Sequence, residues 1–241
     1  MKKVIFALVA AGMTMTSCMN EEFPNATSYG QLNVNVSNDL QMNTRASVSD
    51  LSTWTVSAVG PQAYTLTSKS TNVKAGTYTV SAKSHADEAA ALTVNDGWGA
   101  AYYEGSTSGI EVAAGRIATA IVDCGTAKNA CLMVTFSLTE GVFTNYSLTT
   151  AKRNLEFNAG NSSSALAYYA ATEEVDYTLS YTYNGTPKTK SGKITMKGPA
   201  TKNIISISSN DNGTISVTVN YDDTFSEGNK EDLEFDAATG E

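Results

Sequence analysis

Residues 177–186 read YTLSYTYNGT, and this stretch is the clearest indication of the fold class of the chain. From Tyr177 to Tyr183 large apolar residues alternate with Thr and Ser, which is the pattern of a strand with one buried and one solvated face. Asn184-Gly185 follows at once, and this dipeptide favours a type I′ hairpin turn because both central residues of that turn need positive φ. The stretch therefore predicts an antiparallel sheet with one face in water.

The same period-two alternation recurs through most of the chain, and long helical periodicity is missing from the sequence. Its other apolar positions are Leu32, Val34 and Val36; Trp54, Val56 and Ala58; Tyr78, Val80 and Ala82; Leu132, Val134, Phe136 and Leu138; and Ile215, Val217, Val219 and Tyr221. Asn212-Gly213 predicts a second tight hairpin. One helical exception is expected at 84–92, where Ser84 and Asp87 form a capping pattern before an alanine-rich run.

The expected fold is all-β, with two tandem antiparallel β-sandwich domains of transthyretin-like or Ig-like type and one short helix. The stretch 124–129 divides the chain into halves of similar length and texture, and the C-terminal residues are rich in acids. The predicted organisation is a lipoprotein signal peptide at 1–17, a tether at 18–29, an N-terminal β-sandwich at 30–125, a C-terminal β-sandwich at 128–222 and a solvated acidic tail at 223–241.

The first residues have the three-part layout of a secretory signal. Lys2 and Lys3 precede a short apolar run, and Ser17-Cys18 then places a small residue before a cysteine. The run is too short to span a bilayer, which needs roughly 20 residues. We expect cleavage before Cys18 and acylation of that cysteine. Two or more acyl chains on it would hold the protein stably in the membrane. The expected location is the outer membrane, with the protein exposed at the cell surface.

Charge and composition narrow the range of partners. Removing residues 1–17 takes away two lysines and no acid, which leaves 14 basic and 24 acidic residues and a net charge of −10. A chain this acidic is repelled by phosphate backbones and anionic lipids, so we expect no nucleic-acid partner and an anchor made of lipid. No metal or cofactor site is expected, since no spacing of Cys, His or acidic residues completes a ligand set.

Two cysteines remain after Cys18. Cys124 and Cys131 enclose a six-residue segment, and an extracytoplasmic address permits a disulfide between them. The alternative is two separate thiols, one closing a strand and one opening the next. The sequence leaves both open.

Trp98, Tyr102 and Tyr103 lie among glycines in the most aromatic loop of the chain and are the candidate ligand contacts. Such rings could stack on a sugar or on a partner protein, or they could cover the end of a sandwich. Catalysis is not expected, because His85 is the sole histidine and no G-x-S-x-G nucleophile motif occurs.

Residues 30–222 resemble a family of Bacteroidetes surface lipoproteins of uncharacterised function that is related in layout to the fimbrillins. The matching features are Gly30-Gln-Leu-Asn-Val, Thr44-Arg45-Ala46, Ala75-Gly76-Thr77-Tyr78, Tyr102-Tyr103-Glu104-Gly105 and Val122-Asp-Cys124. The resemblance implies two transthyretin-like sandwiches in tandem. It also implies proteolysis after an arginine behind the first strand, here between Arg45 and Ala46, which would free a groove for the strand of another subunit. The alternative is that Arg45 is an ordinary exposed loop residue.

The functional expectation is a lipid-anchored surface protein with a structural or adhesive role, as a fimbria-associated subunit or an adhesin. Its partners would be the outer membrane through the lipid, and other fimbrial subunits or a host or glycan ligand. The alternative is a glycan-binding lipoprotein of a polysaccharide-uptake system, which the aromatic loop motivates. Because residues 223–241 do not resemble a donor strand, an anchor, tip or accessory subunit is favoured over a subunit inside a fibre.

Overall fold

The structure is a computed structural model that describes residues 28–41, 44–47, 54–210, 213–222 and 231–236, with side chains for all of these except 38–41, 44–47 and 231–236. The predicted signal peptide, Cys18 and most of the predicted tether lie outside the described residues. Within the described ranges nearly every element is a strand, and the strands form four sheets. The prediction of an all-β chain built as two sandwiches is confirmed.

The first sandwich is built from residues 29–123. Its strands are β1 (Tyr29–Gln41), β2 (Thr44–Ser47), β3 (Thr55–Val59), β4 (Ala63–Leu66), β5 (Ser70–Lys74), β6 (Gly76–Lys83), β7 (Glu104–Val112) and β8 (Ile117–Asp123). One sheet has the order β4-β3-β6-β7. In the other sheet β1 is central, with β8 on one side and β5 and β2 along the other.

The second sandwich uses residues 130–236. Its strands are β9 (Ala130–Ser137), β10 (Phe143–Thr150), β11 (Leu155–Asn158), β12 (Ala167–Tyr169), β13 (Glu174–Tyr183), β14 (Thr186–Thr195), β15 (Lys202–Ser209), β16 (Thr214–Asp222) and β17 (Glu231–Asp236). They form sheets of order β11-β10-β13-β14 and β12-β9-β15-β16-β17. Asn184 and Gly185 both have positive φ, of 47° and 80°, and this confirms the hairpin between β13 and β14.

The alternating apolar residues face the two cores as the period-two pattern predicts. Leu32, Val34 and Val36 are at most 1% exposed, and so are the inward residues of β3 and β6. Leu179 on β13 and Val217 on β16 are completely buried in the second core. On the strands with a buried face, this burial fixes the register, because a one-residue slip would move the whole apolar set to the solvent side.

Three features differ from the sequence-based expectation. Each sandwich contains a parallel pair, β1 with β8 and β9 with β15, in addition to its antiparallel pairs. The helix α1 spans only Glu88–Ala91, and its N-cap is Asp87, whose carboxylate accepts a hydrogen bond from the Ala90 amide at 2.8 Å.

The third difference concerns the predicted solvated tail. Residues 231–236 form β17, which pairs with β16 from Glu231 opposite Val219 to Asp236 opposite Thr214. A solvated tail is therefore wrong for these six residues, because the open backbone of β16 offers hydrogen-bond partners whatever the charge of the incoming side chains. Residues 223–230 and 237–241 lie outside the described part of the chain.

Candidate functional site

The aromatic loop lies in the joint segment, the residues 84–103 that connect β6 to β7. This segment contains α1 and a tight turn at Asn95–Gly97. Asn95 and Asp96 both have φ of 54°, a left-handed conformation that costs non-glycine residues energy unless the surroundings hold it. The Asn95 side-chain amide donates to the Gly99 carbonyl at 2.9 Å and so closes the turn.

Trp98 leaves this turn toward the second sandwich. Its indole packs on the second core and meets the Phe157 ring edge-on, with ring centroids 5.0 Å apart and planes at 77°. Edge-to-face contact at this distance is a favoured arrangement of two aromatic rings. The Trp98 carbonyl also accepts a hydrogen bond from the Tyr168 amide at 2.8 Å. Trp98 is therefore held by the second sandwich although its chain segment belongs to the first.

Tyr103 and Tyr102 contact other parts of the molecule. Tyr103 is half-buried against the first core, and its ring is tilted against Trp54 at a centroid distance of 6.5 Å. Tyr102 is 4% exposed, and its hydroxyl donates to the Glu104 carboxylate at 2.7 Å. Burial and the carboxylate raise the pKa of Tyr102. The three predicted contact residues thus lie near one another in the chain but do not form one exposed platform.

Asn129, which lies between β8 and β9, hydrogen-bonds to the joint segment. It is 1% exposed, and both ends of its amide are used: Oδ1 accepts from the Tyr102 amide at 3.0 Å and Nδ2 donates to the Ala100 carbonyl at 2.8 Å. The Lys128 amide also donates to the Tyr102 carbonyl at 2.8 Å. A buried amide with both ends satisfied fixes the relative position of the segments it bridges.

Arg153 is the residue of this joint that the sequence did not reveal. Its guanidinium donates to the Leu92 carbonyl at 2.9 Å, to the Gly97 carbonyl at 2.6 Å and to the carbonyl of Tyr168. The same guanidinium lies 4.0 Å from the centre of the Tyr169 ring. A planar group with five donors suits this task, since it can reach several carbonyls and stack on a ring at once. Arg153 therefore ties the joint segment to the second sandwich.

The two cysteines are free thiols in the structure. Cys124 is buried in the first core, with Sγ 3.8 Å from the Ala82 carbonyl oxygen, whereas Cys131 lies on the outward face of β9 between the buried Ala130 and Leu132. Burial raises the pKa of each thiol to about 11. The arrangement is the two-thiol alternative, and neither sulfur has the depressed pKa of a reactive cysteine.

Arg45 and Ala46 lie in β2, where Ala46 pairs with Asn38 of β1. His85 has the Ser84 hydroxyl 3.0 Å from its Nδ1. Among the described residues no group of three or more His, Cys, Asp or Glu side chains is placed to hold a metal ion. None of the helices in the described part of the chain has the length and apolar run that crossing a bilayer requires.

The sequence of residues 27–237 matches the family described as "Domain of unknown function (DUF4493)". The chain belongs to this family. No curated protein matches the chain. The matched residues include both sandwiches and the joint between them.

Solved structures with a similar chain path include a fimbrial assembly protein from Parabacteroides distasonis. It is 11% identical with a TM-score of 0.43, and the match covers 84% of this chain and 99% of that one. A "putative cell adhesion protein" from Bacteroides ovatus is 8% identical with a TM-score of 0.40, and the match covers 80% of this chain and 95% of that one. Identities and TM-scores this low carry no argument about what the DUF4493 chain does.

Proposed function

We propose that this DUF4493 protein is a lipid-anchored cell-surface protein with a structural or adhesive role, as a fimbria-associated subunit or an adhesin. The predicted acylation of Cys18 supplies the anchor. The observation that carries the proposal is the position of β1, which begins 11 residues after Cys18 and is the central strand of its sheet. With the anchor at Cys18, the first described strand would begin close to the membrane, and it is also the central strand of its sheet.

The burial of β1 supports a role that depends on this strand. Leu32, Val34 and Val36 fill the first core, and β8 and β5 take their hydrogen bonds from opposite edges of β1. Loss of β1 would expose an apolar groove flanked by two unpaired strands. Such a groove is a template for a strand from another chain. Proteolysis between Arg45 and Ala46 is the proposed route to that loss.

The strand β17 widens the proposal. The acidic sequence of 223–241 favoured an anchor, tip or accessory subunit, because it contains no clear donor strand. However, residues 231–236 do adopt a strand at the edge of a sheet, with Leu233 opposite Val217 and Phe235 opposite Ile215. Among the described strands β17 pairs with β16 alone. The proposal therefore covers a subunit that donates β17 to a partner as well as one that ends a fibre.

The glycan-binding alternative has less support from the geometry. It needs Trp98 and the two tyrosines on a common exposed surface, whereas Trp98 packs on the second core and Tyr103 on the first. Affinity electrophoresis on a panel of polysaccharides tests it. Retention that is lost in Trp98→Ala and kept in Trp54→Ala would favour this alternative over the structural role.

Mass spectrometry of the native protein from the cell envelope tests the main proposal. The expected N-terminus is acylated Cys18, and Cys18→Ala should move the protein out of the membrane fraction. A fraction starting at Ala46 is expected on surface fibres if the chain is a processed subunit, and Arg45→Ala should abolish that fraction. An unacylated chain that never co-purifies with fibres, together with unchanged adhesion of a deletion strain, would refute the proposal.

A further inference from the structure

The parallel pairing of β1 with β8 has a mechanical meaning. Seven consecutive residue pairs join the strands, from Gln31 opposite Ile117 to Ser37 opposite Asp123. Backbone hydrogen bonds close both ends of this patch: the Gln31 amide donates to the Arg116 carbonyl at 2.9 Å, and the Cys124 amide donates to the Ser37 carbonyl at 2.7 Å. In a parallel pair these bonds are evenly spaced along the whole contact.

The chain enters and leaves this patch at opposite ends. It enters the first sandwich at the start of β1, and it leaves the sandwich at the end of β8 through 124–129. Tension between the N-terminus and the second sandwich therefore pulls the two strands along their axes in opposite directions. All the bonds of the patch resist such sliding together, whereas a pull at one end would break them one at a time.

The second sandwich repeats the arrangement. The chain enters it at the start of β9, which pairs in parallel with β15 over seven residues, from Cys131 opposite Lys202 to Ser137 opposite Ser208. Two further antiparallel steps lead through β16 to β17, so β17 runs parallel to β9 in the same sheet. A pull from the start of β9 to the end of β17 again slides strands past one another.

We infer that both sandwiches of this protein are shear clamps, which carry tension along the chain from its N-terminal end. The two strands that receive and release the chain are parallel and directly paired in the first sandwich, and parallel within one sheet in the second. The inference rests on the proposed anchor for the direction of the load in the cell. The clamp itself belongs to the fold and exists with or without the lipid.

Single-molecule force spectroscopy on the full chain tests the first clamp by changing only the points of attachment. Ser28, Ala114 and Thr126 are exposed and lie outside the strands. Handles introduced through an unnatural amino acid at 28 and 126 load the β1–β8 patch in shear. Handles at 28 and 114 pull on the same end of both strands and unzip it. We expect an unfolding force several times higher for 28 and 126, and equal forces would overturn the inference.

A proline variant separates the clamp from general stability. Successive amides of a strand point to opposite edges. The Gln31 amide points to β8, and the Val34 amide points away from β8 to the Lys69 carbonyl. The Asn35 amide therefore points to β8. Asn35→Pro removes one bond of the patch. Val80→Ala, which truncates a buried side chain on β6, serves as the control. The denaturant concentration is chosen for each variant so that both have the same free energy of unfolding. Asn35→Pro should lower the shear force by more than Val80→Ala, and an equal loss would contradict the clamp.

Failure of the clamp and failure of the proposed function give different results. Purified protein needs no lipid for the force measurement, so an unacylated Cys18 would refute the anchor and leave the force difference intact. Conversely, a native population that starts entirely at Ala46 has lost β1, and it would overturn the first clamp as a device that works in the cell.

Discussion

The two sandwiches share a plan but are filled differently. The first core is made mainly of valine and alanine, and Tyr78 is the one aromatic residue among its fully buried members in the described chain. The second core contains five buried aromatic residues, namely Phe143, Phe157, Tyr169, Tyr177 and Tyr181, together with three isoleucines of β15 and β16. Because buried apolar area sets the hydrophobic contribution to stability, the second sandwich should be the more stable of the two. Strand alternation thus determines the architecture that both sandwiches share, and the size of the buried side chains determines how stable each one is.

The comparison has a functional side. The smaller core is the one that contains β1, the strand that cleavage after Arg45 would remove, and the larger core receives Trp98 from the joint segment. Substitutions in each core and at the joint should therefore have unequal effects on stability.

Truncating one residue in each core should give the largest effects. Phe157 is completely buried in the second sandwich and Leu32 in the first. We expect Phe157→Ala to lower the free energy of unfolding by about 3 to 5 kcal/mol and Leu32→Ala by about 2 to 5 kcal/mol, with the phenylalanine variant the more costly. Urea unfolding followed by circular dichroism measures both. A larger loss for Leu32→Ala would reverse our ranking of the cores.

Removing the Arg153 side chain should uncouple the unfolding of the two sandwiches. Arg153→Ala leaves the Leu92, Gly97 and Tyr168 carbonyls without this donor, and we expect a loss of about 3 kcal/mol, since one hydrogen bond to a charged group is worth about 1.5 to 3 kcal/mol. Calorimetry should then show two separate transitions instead of a coupled one.

The neighbouring Lys152 offers a matched control for this experiment. It forms an ion pair with Glu173 at 2.5 Å, in which the lysine side chain is 64% exposed and the glutamate side chain 12%. Both residues belong to the second sandwich, so Lys152→Ala should lower the stability of that sandwich without separating the calorimetric transition into two. If both variants behave alike, Arg153 is not what couples the sandwiches.

Two glycines test how tightly each sandwich is packed. A Cβ on Gly30 would lie 2.3 Å from the Ala113 carbonyl oxygen, and a Cβ on Gly192 would lie 2.3 Å from the Tyr177 hydroxyl. Backbone yields less readily than a side chain, so Gly30→Ala should cost more than Gly192→Ala within the roughly 1 to 3 kcal/mol of overpacking. Gly160→Ala, whose Cβ would come no closer than 3.3 Å to Asn158 Oδ1, should cost least. Thermal unfolding ranks the three, and a Gly192→Ala cost above that of Gly30→Ala would contradict this view.

The thiols should give the smallest effect. Burial raises the pKa of Cys124 and Cys131 to about 11, from an ordinary value of 9.0. Between these pH values the unfolded chain loses thiol protons that the folded chain keeps, so the stability of the fold should fall as the pH rises through that window. Replacing both cysteines by alanine should flatten this part of the pH profile relative to the wild-type chain.

The two thiols should also differ in their rate of alkylation in the native protein. Without reductant, iodoacetamide should label half-buried Cys131 faster than buried Cys124, and both slowly at pH 8, where few thiols are ionised. Mass spectrometry of tryptic peptides gives the two rates. Protein that takes up no label until it is reduced would instead contain the disulfide.

Much of the fold could be predicted because alternation reports which face of a strand is buried. Alternation does not report which strand is the neighbour or in which direction it runs, so the parallel pairs β1 with β8 and β9 with β15 could not be foreseen. The acids of β17 hid its pairing for a related reason. Backbone groups of β16 hold that strand, and side-chain composition carries little information about them.

The joint was harder to predict than the fold. Trp98 and Tyr103 stood out in the sequence as aromatic residues in a glycine-rich loop, but an exposed contact and a covered sandwich end give the same pattern. Arg153 gave no signal, because a single arginine between strands is usually a solvated residue. Its partners Leu92 and Gly97 are 61 and 56 residues away in sequence, and they accept through carbonyls that every residue has.

The pairing of β1 with β8 also sets an order of events during synthesis. The two strands lie at opposite ends of the sequence of the first sandwich. Gln31 cannot pair until Ile117 has been synthesised, and Ser37 cannot pair until Asp123 has been. Contacts between residues so far apart in sequence form slowly, because the entropy of closing a long loop is lost before the contacts stabilise the fold. The nascent chain therefore cannot complete its first sheet until β8 has emerged. Until residue 123 has been synthesised, the edge of β1 that faces β8 stays unpaired.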